Sequence, residues 1–134
     1  MPISGGEVLT RRQSYEPWIR QGALDIVQPD ATKVGGISEY RRIGWMAEDR
    51  GLRVIPHGWN TAVGVAADLQ LASAFRSTDL IEYLTGSPFI DELSSEPWSM
   101  DAEGMLRIPD APGLGITLNR DAVRRYTGVS WEVE

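Results

Sequence analysis

The sequence predicts an α/β fold that forms about half of a TIM-type (β/α) barrel. Short aliphatic segments alternate with longer helical ones, which is typical of a parallel sheet covered by helices. Each predicted strand end carries one acid or histidine, and the separations of 23, 27 and 25 positions between them favour a barrel over an open sheet. These residues are Glu7, Asp30, His57 and Glu82. Because a complete barrel takes about 250 residues, or roughly 30 per unit, the 134 residues have room for about four βα units.

Two segments are predicted as buried strands because each is aliphatic and runs into a proline. They are ALDIVQP, residues 23–29, and LRVIPH, residues 52–57. DLIEYL, residues 79–84, is a weaker candidate for a further strand. The strand that leads to Glu7 is represented by only a few residues. Since consecutive strands are separated by helical segments, all are expected to run parallel.

The segment SEYRRIGWMAEDR, residues 38–50, is predicted to be an amphipathic helix. Ser38 is the expected N-cap, and Gly51 is the expected stop signal at the C-terminal end. The apolar residues that share one face are Ile43, Met46 and Ala47. This face is expected to pack on the sheet.

Two further helices are predicted, and they differ in quality. Residues 61–75 are almost wholly apolar and small, so we expect a buried helix that packs closely on its neighbours. Residues 10–22 make a poorer helix because Pro17 interrupts them. Pro17 is tolerable in this helix only if it lies in the first turn.

The chain is expected to divide near residue 100. Residues 1–100 form the barrel part, and residues 101–134 form a C-terminal extended arm with a short helix. The arm is predicted from GMLRIPDAPGLGITL, residues 104–118, which is rich in proline and glycine. The short helix is expected near residues 120–126.

Composition narrows the classes of function. The net charge of −6 without a basic cluster argues against a nucleic-acid partner. The absence of cysteine excludes disulfides and thiolate metal sites. No segment approaches the roughly 20 apolar residues that span a bilayer, and the N-terminus does not read as a signal peptide. We therefore expect a cytoplasmic protein without a membrane partner.

Asp30 and His57 are the leading candidates for chemistry. In barrels the reacting groups gather at the carboxyl ends of the strands, and these two residues follow neighbouring predicted strands. A carboxylate that accepts a hydrogen bond from the imidazole would fix its tautomer and raise its basicity. Asp30 alone is also a common turn residue, and Lys33 is an alternative partner for it. His57, the single histidine of the chain, could equally be structural.

The two glutamates have alternative interpretations as well. Glu7 is either an acid at a helix entry or one oxygen ligand of a hard cation. One carboxylate cannot hold Mg²⁺ by itself, and no second or third ligand is found at the predicted strand ends. Glu82 is either an ordinary surface glutamate or a buried one that donates a hydrogen bond as a neutral acid. Gly35 and Gly36 predict a tight turn.

Five motifs together resemble the C-terminal half of the barrel in the enolase superfamily. They are, in order, PISGGE (2–7), QPDATKVGG (28–36), IPHGWNT (55–61), LIEYL (80–84) and IPDAPGLGI (108–116). The resemblance is to the mandelate racemase/muconate lactonizing enzyme family, and to its mandelate racemase subgroup in particular. Muconate-lactonizing relatives carry a lysine base where this sequence has Asp30, so the aspartate favours the mandelate racemase type.

The resemblance implies a role for each strand-end residue. Glu7 would be the last of three carboxylate ligands to an essential Mg²⁺. Asp30 and His57 would be a dyad in which His57 is the general acid and base. Glu82 would hydrogen-bond the substrate carboxylate as it becomes an enolate. The substrate would be a small hydroxy acid or acid sugar.

The resemblance also implies what such a chain does. The expected reaction is α-proton abstraction from a hydroxy-carboxylate, with an acid-sugar dehydratase favoured over a racemase or epimerase. A third alternative is a non-catalytic fragment that only associates with another chain. The capping domain, the first barrel half and its lysine base are not represented in these 134 residues. Since a half-barrel has open sheet edges, we expect a homo-oligomer or pairing with the missing N-terminal half.

Overall fold

A three-stranded parallel sheet organises the fold in the computed structural model, which describes residues 1–128. The strands are β1 (Ser4–Gly5), β2 (Ile26–Val27) and β3 (Arg53–Val54), and they lie in the order β1-β2-β3. In register, Ser4 is opposite Ile26, and Ile26 is opposite Arg53. The predicted alternation of parallel strands and helices is confirmed, although each strand is only two residues long.

Helices follow each strand and cover the sheet. They are α1 (Arg11–Arg20), α2 (Ile37–Glu48), α3 (Ala62–Ala72), α4 (Pro88–Asp91) and α5 (Arg120–Tyr126). The main core packs α1, α2 and α3 against β2 and β3. As predicted, Ile43 and Ala47 are buried and Met46 packs beside them. The prediction of a buried α3 is also confirmed, since eight of its 11 residues are buried.

The predicted strand at residues 79–84 does not form a regular strand. Its backbone runs beside β3, and Glu82 N donates to Pro56 O at 3.4 Å. Two local features explain why a full ladder is absent. The Thr78 hydroxyl donates to Val54 O at 2.6 Å and occupies a carbonyl of β3. Pro56 has no N–H to donate in return. Of the expected four βα units, the last therefore has an irregular strand.

The helix predicted in residues 10–22 forms, but the condition that Pro17 lie in its first turn is wrong. Pro17 is the seventh residue of α1, where it cannot donate the usual backbone hydrogen bond. The helix is held on both sides of the proline by the buried side chains of Tyr15 and Ile19. Tertiary packing thus outweighs the local cost of the proline, which is about 3 kcal/mol in a helix interior.

Ser38 is not the N-cap of α2. The helix begins at Ile37, and Gly36 is the N-cap with φ of +89°. Gly35 also has a positive φ, of +112°, so the predicted tight turn uses a backbone conformation that favours glycine at both positions. Gly51, also at positive φ, follows the last turn as predicted.

The segment after residue 84 is less regular than the sheet region. The short helix α4 was not predicted, whereas α5 spans the predicted residues 120–126, with Asn119 Oδ1 accepting from Asp121 N and Ala122 N. Two isolated bridges, Ser94–Leu118 and Met100–Leu106, fold the chain back on itself. The division between residues 1–100 and 101–134 stays a prediction, and its last residues, 129–134, lie outside the described residues. Among residues 1–128, no helix is both long and apolar enough to cross a bilayer.

Candidate active site

The carboxyl ends of the three strands bring Glu7, Asp30 and His57 to one edge of the sheet. Each residue follows its strand by two or three positions, and the strands are parallel, so their ends coincide. His57 N donates to Pro29 O at 3.1 Å, so the backbone pairing of the two strands continues beyond β2 and β3. This backbone bond places the side chain of His57 next to that of Asp30.

Asp30 and His57 form a buried carboxylate–imidazole pair. Asp30 Oδ2 lies 3.0 Å from His57 Nδ1, and both side chains are almost wholly excluded from solvent. A carboxylate can only accept, so a neutral imidazole in this pair carries its proton on Nδ1. The other nitrogen, Nε2, is then free of a proton and able to take one.

Three neighbours hold Asp30 in its charged form. Thr32 donates to Oδ1 from its backbone N at 2.8 Å and from its hydroxyl at 2.5 Å. Lys33 Nζ lies 3.0 Å from Oδ2, the oxygen that also faces His57. Burial by itself would raise the pKa of Asp30, but the hydrogen bonds from Thr32, His57 and Lys33 outweigh it and lower the pKa. The pairing with Lys33 coexists with the pairing with His57.

Glu7 is the second group beside His57. Its Oε2 lies 3.5 Å from His57 Nε2, and 56 % of its side chain is exposed. Mg²⁺ requires about six oxygen ligands in an octahedron, usually with one or two carboxylates and several waters. No group of three His, Cys, Asp or Glu suited to a metal occurs within residues 1–128. Glu7 and its surroundings therefore do not form a Mg²⁺ site by themselves.

Glu82 is exposed, so the alternative of a buried, neutral glutamate is wrong. Its Oε2 accepts a hydrogen bond from Gly58 N at 3.2 Å, directly after His57. The backbone of Glu82 also passes so close to Gly58 that a Cβ there would overlap the Glu82 carbonyl. Gly58 was missed in the sequence, because a glycine beside a histidine carries no signal of what it faces.

Asn60 and Asp68 form a second polar pair, which the sequence analysis also missed. Asn60 Nδ2 donates to Asp68 Oδ2 at 3.1 Å, and Asp68 is 2 % exposed. Burial raises the pKa of Asp68 to about 7 against the effect of the Asn60 hydrogen bond, and the charges of Asp30 and Glu82 raise it further. A lone acid in the otherwise apolar segment 61–75 was the signal that could have found it.

The fold and the site define a segment of a (β/α) barrel with an acid–base pair at its strand ends. The chain belongs to the enolase C-terminal domain-like family, whose profile matches residues 1–122. The match covers the sheet, the strand-end residues and α3, so the resemblance seen in the five motifs is confirmed at the level of the family.

Similar proteins include metabolic enzymes and solved structures of the same superfamily. The chain is 37 % identical to D-galactarolactone cycloisomerase of Agrobacterium fabrum, over 94 % of this chain and 35 % of that protein. It is also 37 % identical to arabinonate dehydratase of Saccharolobus solfataricus, over 94 % of this chain and 34 % of that enzyme.

A mandelate racemase/muconate lactonizing enzyme from Sulfitobacter sp. superposes on the fold with a TM-score of 0.83 at 32 % identity. The superposition covers all of this chain and 34 % of that structure. The fold is therefore that of the C-terminal part of an enolase-superfamily barrel. The chain spans about a third of the length of the curated relatives that it matches.

Proposed function

We propose that this chain supplies the acid–base dyad of an enzyme that removes the α-proton of a hydroxy-carboxylate, most favourably an acid-sugar dehydratase. The observation that carries the proposal is the 3.0 Å contact between Asp30 Oδ2 and His57 Nδ1. A buried carboxylate at this distance orients the imidazole and stabilises the imidazolium that forms when Nε2 takes a proton. The Asp30–His57 pair is the catalytic unit of the proposal.

Dehydration follows from one proton passing through His57. Nε2 takes the proton from the carbon next to the substrate carboxylate, and the electron pair of that bond delocalises into the carboxylate. The hydroxyl on the neighbouring carbon leaves with the proton from Nε2 as water, and the resulting enol becomes a 2-keto acid. Asp30 stays ionised throughout, because its hydrogen bonds from Thr32 and Lys33 persist. Each proton and electron pair is accounted for, with no redox change.

Glu82 and Glu7 have supporting roles in this proposal. Glu82, fixed beside Gly58, is assigned to bind the polar groups of the substrate near His57. Glu7 is assigned as one oxygen ligand of the Mg²⁺ that the resemblance implies, with the other ligands supplied from outside residues 1–128. That ion would supply positive charge where the second negative charge builds on the substrate carboxylate.

The names of two relatives favour the dehydratase over the racemase. One relative is an arabinonate dehydratase and another is an L-talarate/galactarate dehydratase of Salmonella typhimurium, 34 % identical over 98 % of this chain and 30 % of that enzyme. A racemase or epimerase would use the same first step and then return a proton to the opposite face of the carbon. It would therefore need a second base across the substrate.

The chain is also proposed to work in association with a further barrel segment, either a second copy or a separate N-terminal half. Within residues 1–128, β1 has no strand on its outer side. An unpaired parallel edge presents free backbone donors and acceptors. A second segment at this edge would continue the sheet toward a closed barrel.

The test is a graft into a relative of named activity. Residues 1–122 replace the matching third of the S. solfataricus arabinonate dehydratase. The grafted protein is incubated with arabinonate in D₂O, and the reaction products are identified. The expected result is a 2-keto product from the graft and none from the same graft with His57→Asn. The unmodified dehydratase is the positive control, and circular dichroism verifies that both grafts are folded.

Other results of the graft experiment are equally informative. Deuterium incorporation with inversion and no keto product would show that the reaction is racemisation and not dehydration. Turnover retained by the folded His57→Asn graft would overturn the dyad. A folded wild-type graft with neither product nor deuterium exchange would reject the proposed reaction altogether.

A further inference from the structure

Asp68 is a buried acid with no part in the Asp30–His57 pair. It lies in the middle of α3, a helix whose other buried residues are alanine, glycine, valine and leucine. An ionised carboxylate in such surroundings is costly unless it is paired with a cation. Its hydrogen-bond partner among the described residues is the neutral amide of Asn60. An apolar residue of similar volume would pack here without the cost of burying a carboxyl group, so the presence of the acid needs an explanation.

The side-chain amide of Asn60 packs closely against α3. Gly64 and Asp68 are four positions apart within α3 and so share one face of the helix, while Asn60 precedes the helix in the loop before it. A Cβ at Gly64 would overlap the side chain of Asn60, which shows how closely the amide lies against the helix. Gly64 leaves space for the Asn60 side chain, and Asp68, one turn later, accepts its hydrogen bond.

The hydrogen bonding of the pair lacks one donor. Asp68 Oδ1 and Asn60 Oδ1 are both buried, and neither has a partner within residues 1–128. Both atoms are acceptors when Asp68 is ionised, whereas a protonated Asp68 has an O–H to donate. The titratable groups whose charges act on Asp68 are Asp30 and Glu82, and both disfavour its ionised form. The phenol of Tyr40 is also buried without a partner in the described part of the chain.

We propose that protonated Asp68 is a positioning residue for His57, acting through Asn60 on the loop formed by residues 57–61. This loop is held at three points. His57 N bonds Pro29 O at 3.1 Å, Gly58 N bonds Glu82 Oε2 at 3.2 Å, and Asn60 bonds Asp68 at 3.1 Å. The third bond is the one that ties the loop to a helix. Loss of it frees the end of the loop opposite His57, and residues 58–60 transmit this freedom to the imidazole.

The inference rests on the proposed function in so far as His57 is the acid–base group, but its test does not require turnover. His57 is the only histidine of the chain, so its ring gives a single set of imidazole resonances. ¹⁵N-NMR of the 134-residue chain reports the tautomer and the titration of that ring. Asp68→Asn keeps a donor and an acceptor at the position, whereas Asp68→Leu removes both at similar volume. We expect Asp68→Asn to leave the His57 spectrum unchanged and Asp68→Leu to shift and broaden it.

A control variant separates positioning from general loss of stability. Leu71→Ala removes a buried side chain from the same helix, outside the Asn60–Asp68 pair. It is expected to lower the melting temperature without moving the His57 resonances. If Asp68→Leu does not fold, Asn60→Ala breaks the same contact from the loop and is expected to give the same shift. In the dehydratase graft, the broken pair should lower kcat by about 100-fold with little change in KM.

Two results would overturn the inference. One is an identical His57 spectrum in the wild-type, Asp68→Asn and Asp68→Leu chains. The other is a shift in Leu71→Ala as large as that in Asp68→Leu, which would mean that the ring responds to stability alone. An inactive graft with the expected NMR pattern would reject the proposed function and leave the positioning role supported.

Discussion

Asp30 and His57 lie 27 positions apart in the sequence, and their side chains meet at 3.0 Å because their backbones are already paired. His57 N bonds the carbonyl of Pro29, the residue directly before Asp30. The distance between the two side chains is therefore set by the sheet and not by a flexible loop. Orientation of this kind is what a positioned base requires before a substrate arrives.

The first prediction concerns the tautomer of His57. Asp30→Asn removes the charge that accepts from Nδ1–H, so the neutral ring is expected to populate both tautomers instead of one. In the graft, kcat should fall by about 10³- to 10⁴-fold, because Nε2 is no longer reliably free of a proton. ¹⁵N-NMR of the single imidazole measures the first effect. A wild-type spectrum in Asp30→Asn would contradict it.

The same variant has a pH-dependent cost in stability. The pKa of Asp30 is lowered from 3.8 in the fold, so the native state binds fewer protons than the unfolded state at acidic pH. Asp30 therefore contributes stability above its unfolded pKa, and this contribution is lost as pH falls through the folded pKa. Asp30→Asn should lower the free energy of unfolding by about 1–3 kcal/mol at pH 7. Urea titrations at pH 7 and pH 3 should show the difference narrowing at pH 3.

Asp68 has the opposite pH dependence. Its pKa is raised from 3.8 to about 7, so between these values the native state holds a proton that the unfolded chain releases. Stability contributed by this group is full below pH 4 and is lost as pH rises to about 7, by about 4 kcal/mol in all. Asp68→Asn has no such loss. Relative to wild type, the variant should gain stability from pH 4 to pH 7, and parallel urea curves would refute this.

Gly58→Ala should be destabilising for a steric reason. The added Cβ would overlap the carbonyl of Glu82, which belongs to the backbone and cannot rotate away. A cost of about 1–3 kcal/mol is expected from such overpacking. Gly128→Ala is the matched control, because a Cβ there meets nothing within 4 Å. Thermal unfolding of the two variants should differ clearly, and equal melting temperatures would count against the close approach.

Magnesium binding is expected to be weak in this chain alone. Glu7 is the carboxylate that lies beside His57 Nε2, and the described residues hold no group of three suitable ligands. Calorimetric titration with MgCl₂ should give no saturation below millimolar concentrations, and Glu7→Gln should not change the result. Tight binding that Glu7→Gln abolishes would show that the chain completes the coordination by itself.

Association is the remaining prediction. The outer edge of β1 is unpaired in the described residues, and large apolar side chains near it, including Ile3 and Val8, are exposed. Light scattering coupled to size exclusion should therefore find dimers or larger species at micromolar concentration. Ile3→Lys places a charge beside that edge and should shift the distribution toward the monomer. A folded wild-type monomer at all concentrations would contradict the proposal.

The contact between Asp30 and His57 could be predicted from the sequence, because the ends of neighbouring strands coincide in a parallel sheet. Predicting this contact required only that β2 and β3 be located correctly, and the aliphatic segments located both strands. The environment of Glu82 was not predictable, because it depends on a hydroxyl of Thr78 that replaces a strand bond. Pro17 was misjudged because its cost is local, whereas the packing that offsets it comes from residues far along the chain. Tertiary contacts decided each miss.

The charges around His57 set a condition on any anionic substrate. Glu7 and Asp30 contact the imidazole, Glu82 accepts from the backbone N of the next residue, Gly58, and the cation Lys33 is paired with Asp30. A hydroxy-carboxylate would add a negative charge to this cluster, and abstraction of its α-proton would add a second. Electroneutrality at the reacting carbon thus has to come from positive charge outside these side chains. If the rest of the barrel supplies this positive charge, an anionic substrate binds only after this chain has associated with it.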